Sequence, residues 1–312
     1  MQIAWFFPGQ GSQAVGMAQD VLEVSAGARR VFEEADSALG EKLSSLILEG
    51  PEDRLTLTAN AQPAILATSQ AILVALKERL PTLQNPAFAA GHSLGEYSAL
   101  VASGALGLAD AIRLLRARGK AMQEAAAPGV GAMAAIMGLD PSLLPGICEK
   151  AAEGQVVSPA NYDAPGQVVI AGHAAAVERA IALASAAGGK AIPLKVSAPF
   201  HCALMAPAAA ALKLELEKVA MHPMAFPVVA NVDAQPNSDH SRIKELLFRQ
   251  VDGPVRWEDS VRFMHGAGVT RALEIGPGKV LSGLTRRIAK DITVLNVSDA
   301  ASLDKVEAFL SN

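Results

Sequence analysis

At three places along the chain a short apolar run ends in a glycine turn and passes into a helical pattern. Residues 2–7 run into Pro8-Gly9, residues 86–90 into Gly91, and Leu273-Glu274-Ile275 into Gly276-Pro277-Gly278. Apolar runs of this length, bounded by glycine, read as strands buried on both faces. Strands that alternate with helices pair in parallel. The chain is therefore an α/β protein with a parallel sheet. Hydrophobic residues make up 51% of it and aromatics only 4%, so the core is aliphatic and its alanine-rich helices pack closely. Helical patterns cover 13–24, 27–39, 41–49, 62–79, 94–104 and 109–126. The uncharged stretch from Leu55 to Leu76 carries Asn60, Gln62, Pro63 and Gln70, which suits a buried helix better than a membrane span.

At Pro128-Gly129 the pattern changes. Val130–Met137 reads as a strand, Pro141–Ala152 as a helix, Val156–Asn161 and Gln167–Ala171 as strands, Ala174–Ala187 as a helix and Lys190–Val196 as a strand. That order, β-α-β-β-α-β, is the ferredoxin-like arrangement. It predicts a small domain over 128–198 inserted into a larger one formed by 1–127 and 199–312, with further strands near 227–231 and 270–275.

Charge narrows the partners. Lys and Arg total 27 against 31 Asp and Glu, a net charge of −4, which gives no basic field for nucleic acid or an anionic membrane. The cysteines, Cys148 and Cys202, fit a reducing compartment and cannot build a disulfide framework or a metal site. The first residues, Met1-Gln2-Ile3-Ala4-Trp5, lack the basic flank and cleavage site of a signal peptide. A cytoplasmic, monomeric protein is expected.

Gly91-His92-Ser93-Leu94-Gly95 fits G-x-S-x-G between an apolar strand and a helix, the context of a nucleophile elbow. The alternative is a helix-capping serine beside glycines. A serine nucleophile needs a base. His92 adjoins it without an evident orientation for that task, His173 begins a helix, and His222, His240 and His265 read as surface residues. His201, in Ser197-Ala198-Pro199-Phe200-His201, lies where the chain re-enters the large domain, a favoured place for a site; a structural histidine is the competing reading. Cys202 reads as a buried thiol. On the 109–126 helix, Arg118 shares a stripe with Ile112, Leu115 and Met122, while Arg113, Arg116 and Lys120 form a solvated face. A guanidinium on the buried side implies an internal ion pair, a snorkelling side chain or a clamp on a substrate carboxylate. Gly9-Gln10-Gly11-Ser12-Gln13-Ala14 fits a dinucleotide fingerprint, but that motif needs a second strand ending in an acid, and 27–39 reads as helix. The turn can equally present N–H groups to an oxyanion.

Together these residues resemble the malonyl-CoA:acyl carrier protein transacylase family over nearly the whole chain. The resemblance rests on Phe7-Pro8-Gly9-Gln10-Gly11-Ser12-Gln13, Gln62-Pro63-Ala64, Gly91-His92-Ser93-Leu94-Gly95-Glu96-Tyr97 and Arg118-Gly119. Asn161, Pro199-Phe200-His201, Gln250, Pro254-Val255-Arg256-Trp257 and Glu274-Ile275-Gly276-Pro277-Gly278 continue it in order. It implies an α/β-hydrolase-like large domain with a ferredoxin-like insert, and transfer of malonyl from coenzyme A to a carrier's phosphopantetheine thiol through an ester on Ser93. His201 would be the base, oriented by the backbone carbonyl of Gln250. The N–H groups of Gln10 and Leu94 would form the oxyanion hole. Arg118 would grip the malonyl carboxylate, Phe200 and Met122 would line the acyl pocket, and Asn161 would contact substrate. No cofactor or metal is implied beyond the coenzyme A thioester that is the substrate.

The rivals are a serine thioesterase, which shares the elbow but commonly places an acid between the serine and a histidine near the C-terminus, and an inactive carrier-binding relative. Carrier proteins of this kind are acidic, so Lys190, Lys195, Arg286 and Arg287 are candidate docking residues, with a solvated charged face as the other reading of each.

Overall fold

A computed structural model describes residues 2–127, 129–194, 196 and 198–311. Its larger sheet comprises β1 (Gln2–Phe7), β2 (Phe88–Gly91), β7 (Val228–Val229), β8 (Pro236–Asn237), β9 (Val269–Ile275) and β10 (Thr293–Val297). The smaller sheet comprises β3 (Gly131–Met137), β4 (Val157–Ala164), β5 (Gln167–His173) and β6 (Lys190–Pro193). The larger sheet has the order β10-β9-β1-β2-β7-β8, parallel throughout except for the β7–β8 pair.

β1 shows why the central strands are continuously apolar. Trp5 and Phe7 face one side and Ala4 and Phe6 the other, and all four are buried. Trp5 meets Phe226 edge-on at 5.5 Å, while Phe6 meets Trp257 at 5.3 Å. A strand covered by helices on both faces has no polar alternation to show. The helix Thr58–Arg79 lies against the first face. Its most apolar window is 83% buried inside the protein, as befits a core helix rather than a membrane span.

In the smaller sheet the order is β4-β5-β3-β6, antiparallel throughout. Here the residues alternate. Ala134, Ile136, Val168 and Ile170 pack under the helices Leu144–Ala152 and Ala174–Ala186, whereas Met133, Ala135, Val169 and Ala171 join the main core. This period of two is what a sheet sandwiched between two apolar layers requires. At the β4 edge, Tyr162 N–H donates to the Val255 carbonyl and Val255 N–H to that of Ala160, both at 2.8 Å. Pro128 and Ser197, at the expected domain junctions, lie outside the described residues.

Several element limits differ from the sequence expectation. The helix expected over 13–24 starts only at Gln19, because Gly16 and Ala18 hold left-handed φ values of 84° and 61° that interrupt it. The 62–79 helix starts earlier, at Thr58, and carries Pro63 within its second turn. Pro141–Leu143 forms a 3₁₀ turn ahead of the Leu144–Ala152 helix, and β6 stops at Pro193. β8 and β10 were not anticipated. β8 spans only two residues, and β10 is a half-exposed edge strand without a clean apolar run.

Candidate active site

The elbow forms where β2 meets the helix Gly95–Ala102. Ser93 adopts a left-handed φ of 53°, a conformation that costs a non-glycine residue about 1–3 kcal/mol. Glycine flanks it for steric reasons. A Cβ on Gly95 would lie 2.2 Å from the Phe7 carbonyl oxygen at the end of β1, and one on Gly91 would lie 2.0 Å from the backbone of Gly95. Asn231 holds the turn. Its Oδ1 accepts from Ser93 N–H at 2.7 Å, and its Nδ2 donates to the Gly91 carbonyl at 2.7 Å.

His201, also left-handed at φ 59°, brings Nε2 to 2.8 Å from Ser93 Oγ. Its Nδ1 lies 2.9 Å from the Gln250 carbonyl and 3.2 Å from that of Gly253. Carbonyls only accept, so Nδ1 carries the ring proton and Nε2 offers a lone pair to the serine hydroxyl. Burial, then the positive charge of Arg118, pushes His201 down to about 3 against the weaker opposing pull of the two carbonyls. The imidazole is therefore neutral and ready to accept a proton. Among the described residues it has no carboxylate partner.

Arg118 is 1% exposed. Nη1 donates to Gln62 Oε1 at 2.8 Å, while Nη2 donates to Ser93 Oγ and to Gln250 Oε1, both at 2.9 Å. Its Nε has no partner, and it forms no ion pair among the described residues. Of the sequence readings, the internal ion pair is not formed among these residues, and 1% exposure leaves no snorkelling head group. Burial holds the guanidinium below its usual range, yet an arginine stays charged in a protein. Its hydrogen-bond partners are thus neutral acceptors, and the Glu96 carboxyl acts on it only through the field.

These groups open into a cavity of about 210 Å³. Met122 and Phe200 line it as expected, with Met133 and Leu194 beside them, and Gln10 and Asn161 add polar atoms. Asn161 Oδ1 is buried without a partner. The N–H groups of Gln10 and Leu94 donate to no other group among the described residues, although Leu94 itself does not border the cavity. Gln250 does not border it either; its carbonyl meets His201 Nδ1 and its amide oxygen meets Arg118.

Other participants went unread in the sequence. Asn231 and the Gly253 carbonyl had no local signature. His92 Nε2 pairs with Asp163 Oδ1 of β4 at 3.0 Å, joining the elbow to the smaller sheet. Glu96 is 3% exposed, and its Oε2 accepts from Asn231 N–H at 2.9 Å and Gln250 Nε2 at 2.8 Å. Burial raises it to about 7 against those hydrogen bonds. A charged residue on a helix apolar on every side was the available signal for it. His222, His240 and His265 are exposed, and Cys202 is a buried thiol pushed up to about 11 by burial. Glu33, Glu34 and Asp36 sit within the Ala26–Leu39 helix, so the second strand of a dinucleotide fold is absent there. Among the described residues no group of three or more His, Cys, Asp or Glu could hold a metal ion. Of the docking candidates, Lys190 and Arg286 are exposed, Arg287 donates to Gln167 Oε1 and the Pro165 carbonyl, and Lys195 lies outside the described residues.

Residues 4–307 match the family model of the acyl transferase domain. The malonyl CoA-acyl carrier protein transacylase of Escherichia coli (strain K12) is 49% identical over 303 residues, 97% of each chain. The crystal structure of an acyl-carrier-protein S-malonyltransferase from Bartonella henselae matches with a TM-score of 0.96 at 49% identity over 100% of both chains. A malonyl-transacylase in complex with its type II PKS acyl-carrier protein matches at 0.95 and 46% identity, again over 100% of each. With its elbow, dyad and buried arginine in place, the chain belongs to the malonyl CoA-acyl carrier protein transacylase family of acyl transferases.

Proposed function

We propose that this chain transfers a malonyl group from malonyl-CoA to the phosphopantetheine thiol of an acyl carrier protein, in two half-reactions joined by a malonyl ester on Ser93. In the first, Ser93 Oγ attacks the thioester carbonyl as its proton passes to His201 Nε2. The tetrahedral oxyanion is met by the N–H groups of Gln10 and Leu94. Collapse breaks the carbon–sulfur bond, and His201 returns the proton to the coenzyme A thiolate. The second half-reaction runs in reverse, with the carrier thiol giving its proton to His201 and taking the acyl group from Ser93. Thioester, ester and thioester lie close in free energy, so positioning supplies what catalysis needs and no cofactor takes part.

The observation that carries the acyl preference is Arg118. It is buried, has no ion-pair partner among the described residues and donates to Ser93 Oγ at 2.9 Å. An acyl group on Oγ that ends in a carboxylate two bonds from its carbonyl carbon reaches that guanidinium. Phe200 and Met122 bound the space left for branching at the acyl α-carbon, and Asn161 offers an acceptor to the thioester arm. The segment 128–198 is read as an inserted unit that supplies Met133, Asn161 and Leu194 to the cavity wall. The acidic carrier docks on Lys190, Arg286 and Arg287, and charge reversal there weakens carrier kinetics in a salt-dependent way. The test of the function is to incubate the protein with a panel of acyl-CoAs, identify the acylated species by intact mass, and then add holo carrier. Loading of malonyl and its discharge onto the carrier are expected. Release of free malonate at a comparable rate would make the protein a thioesterase instead.

A further inference from the structure

Gln250 is wholly buried, and its side-chain amide is pinned by groups of opposite demand. Oε1 accepts from Arg118 Nη2 at 2.9 Å, while Nε2 donates to the Ser93 carbonyl at 3.0 Å and to Glu96 Oε2 at 2.8 Å. Turned end for end, the amide would set its N–H groups against a guanidinium and its oxygen against a carboxyl oxygen and a carbonyl. The same Glu96 oxygen accepts from the N–H of Asn231, whose side chain clamps the elbow. Glu96 has no ion-pair partner among the described residues and does not line the substrate cavity. Arg118 and Asp233 are the charged groups that act on it. Burying a carboxyl group in this way is costly, and both of its bonds go to residues that hold the site.

We propose that Glu96 is a positioning residue for the reaction. Its Oε2 fixes the Gln250 amide with the oxygen toward Arg118, and so keeps the guanidinium in register with Ser93 Oγ and the acyl carboxylate. The inference rests on the proposed malonyl transfer. It assigns to Glu96 an effect on acyl choice exerted entirely through Gln250.

The experiment compares loading of Ser93 from malonyl-CoA and from acetyl-CoA, followed by intact mass, in the wild type and in Glu96→Leu, Glu96→Gln, Gln250→Met and the Glu96→Leu/Gln250→Met pair. Glu96→Leu lowers the malonyl-to-acetyl rate ratio about tenfold, the loss expected for a displaced charged hydrogen bond, and the change falls mainly on KM for malonyl-CoA. Glu96→Gln retains the ratio, because only its carboxamide oxygen can face two donors. Gln250→Met shows the same selective loss, and in that background Glu96→Leu shifts the ratio no further. Glu96→Asp, which draws the acceptor back from Gln250, is the milder second variant and loses selectivity in the same direction. Equal losses of malonyl and acetyl loading would make Glu96 merely structural. Additive effects in the double variant would show that it does not act through Gln250. A wild type that fails to load malonyl would overturn the functional reading itself, before any Glu96 variant is compared.

Discussion

Replacing Arg118 with Met keeps the apolar stem and removes the fork. In the wild type the guanidinium reaches Ser93 Oγ, Gln62 and Gln250 from a site 1% exposed, with no counter-ion among the described residues. A substrate carboxylate bound there forms a dry ion pair, and removing one member of such a pair costs about 3–5 kcal/mol. At about 1.4 kcal/mol per factor of ten, malonyl loading falls by roughly two to three and a half orders of magnitude. Acetyl has no carboxylate to strand. It loses one hydrogen bond between Arg118 and the nucleophile, about 1 kcal/mol. It also gains a stronger base, because Arg118 is the second cause of the lowered His201 pKa. Acetyl loading therefore changes by less than about tenfold. Single-turnover acylation followed by intact mass, with both thioesters on one preparation, reads the ratio directly. Equal losses for the two acyl groups would refute the carboxylate clamp.

Two further predictions follow from the same geometry. Gly95→Ala sets a Cβ 2.2 Å from the Phe7 carbonyl oxygen, an overlap costing about 3 kcal/mol, so the melting midpoint drops by several degrees and Ser93 acylation is lost; a variant that melts and acylates like the wild type would show that the elbow is not so tightly packed. Because burial and Arg118 lower His201 to about 3, its folded-state pKa lies below the unfolded value of about 6.5. The neutral base thus persists to low pH, and the histidine's contribution to stability is complete above pH 6.5 and is lost as pH falls toward 3. Acetyl loading, free of the malonyl carboxylate's own titration, stays level between about pH 7.5 and 5.5, where an ordinary histidine would lose about tenfold. A titration midpoint near 6.5 would contradict the buried environment.

What the sequence made legible was local. Arg118 could be placed by helical phase, because Leu115 and Met122 fix the buried side of its helix, and the structure puts it there. Ser93 was marked by glycines whose necessity the structure explains through Phe7 and Gly95. The β-α-β-β-α-β order of strand and helix patterns after Pro128-Gly129 betrayed the smaller sheet, and the unbroken apolar run of β1 betrayed a strand covered on both faces. What stayed hidden was contributed across long sequence separations by groups without a signature. A backbone carbonyl such as that of Gly253 can come from any residue, so no residue type announces it. Asn231 acts on Ser93 across 138 positions, and Asp163 on His92 across 71. The opening of the Gln19–Val24 helix was overread because apolar spacing continued through two left-handed residues that the chain cannot carry in a helix.

The central claim is that Ser93 carries the malonyl group between two thiols. The measurement is intact mass of the protein after malonyl-CoA, with peptide mapping of the adduct, on the wild type and on Ser93→Ala, followed by addition of holo acyl carrier protein. One malonyl increment mapped to Ser93, its quantitative discharge onto the carrier, and no increment on Ser93→Ala are expected. A malonyl adduct that persists on Ser93→Ala, or one that the carrier cannot discharge, would contradict the claim.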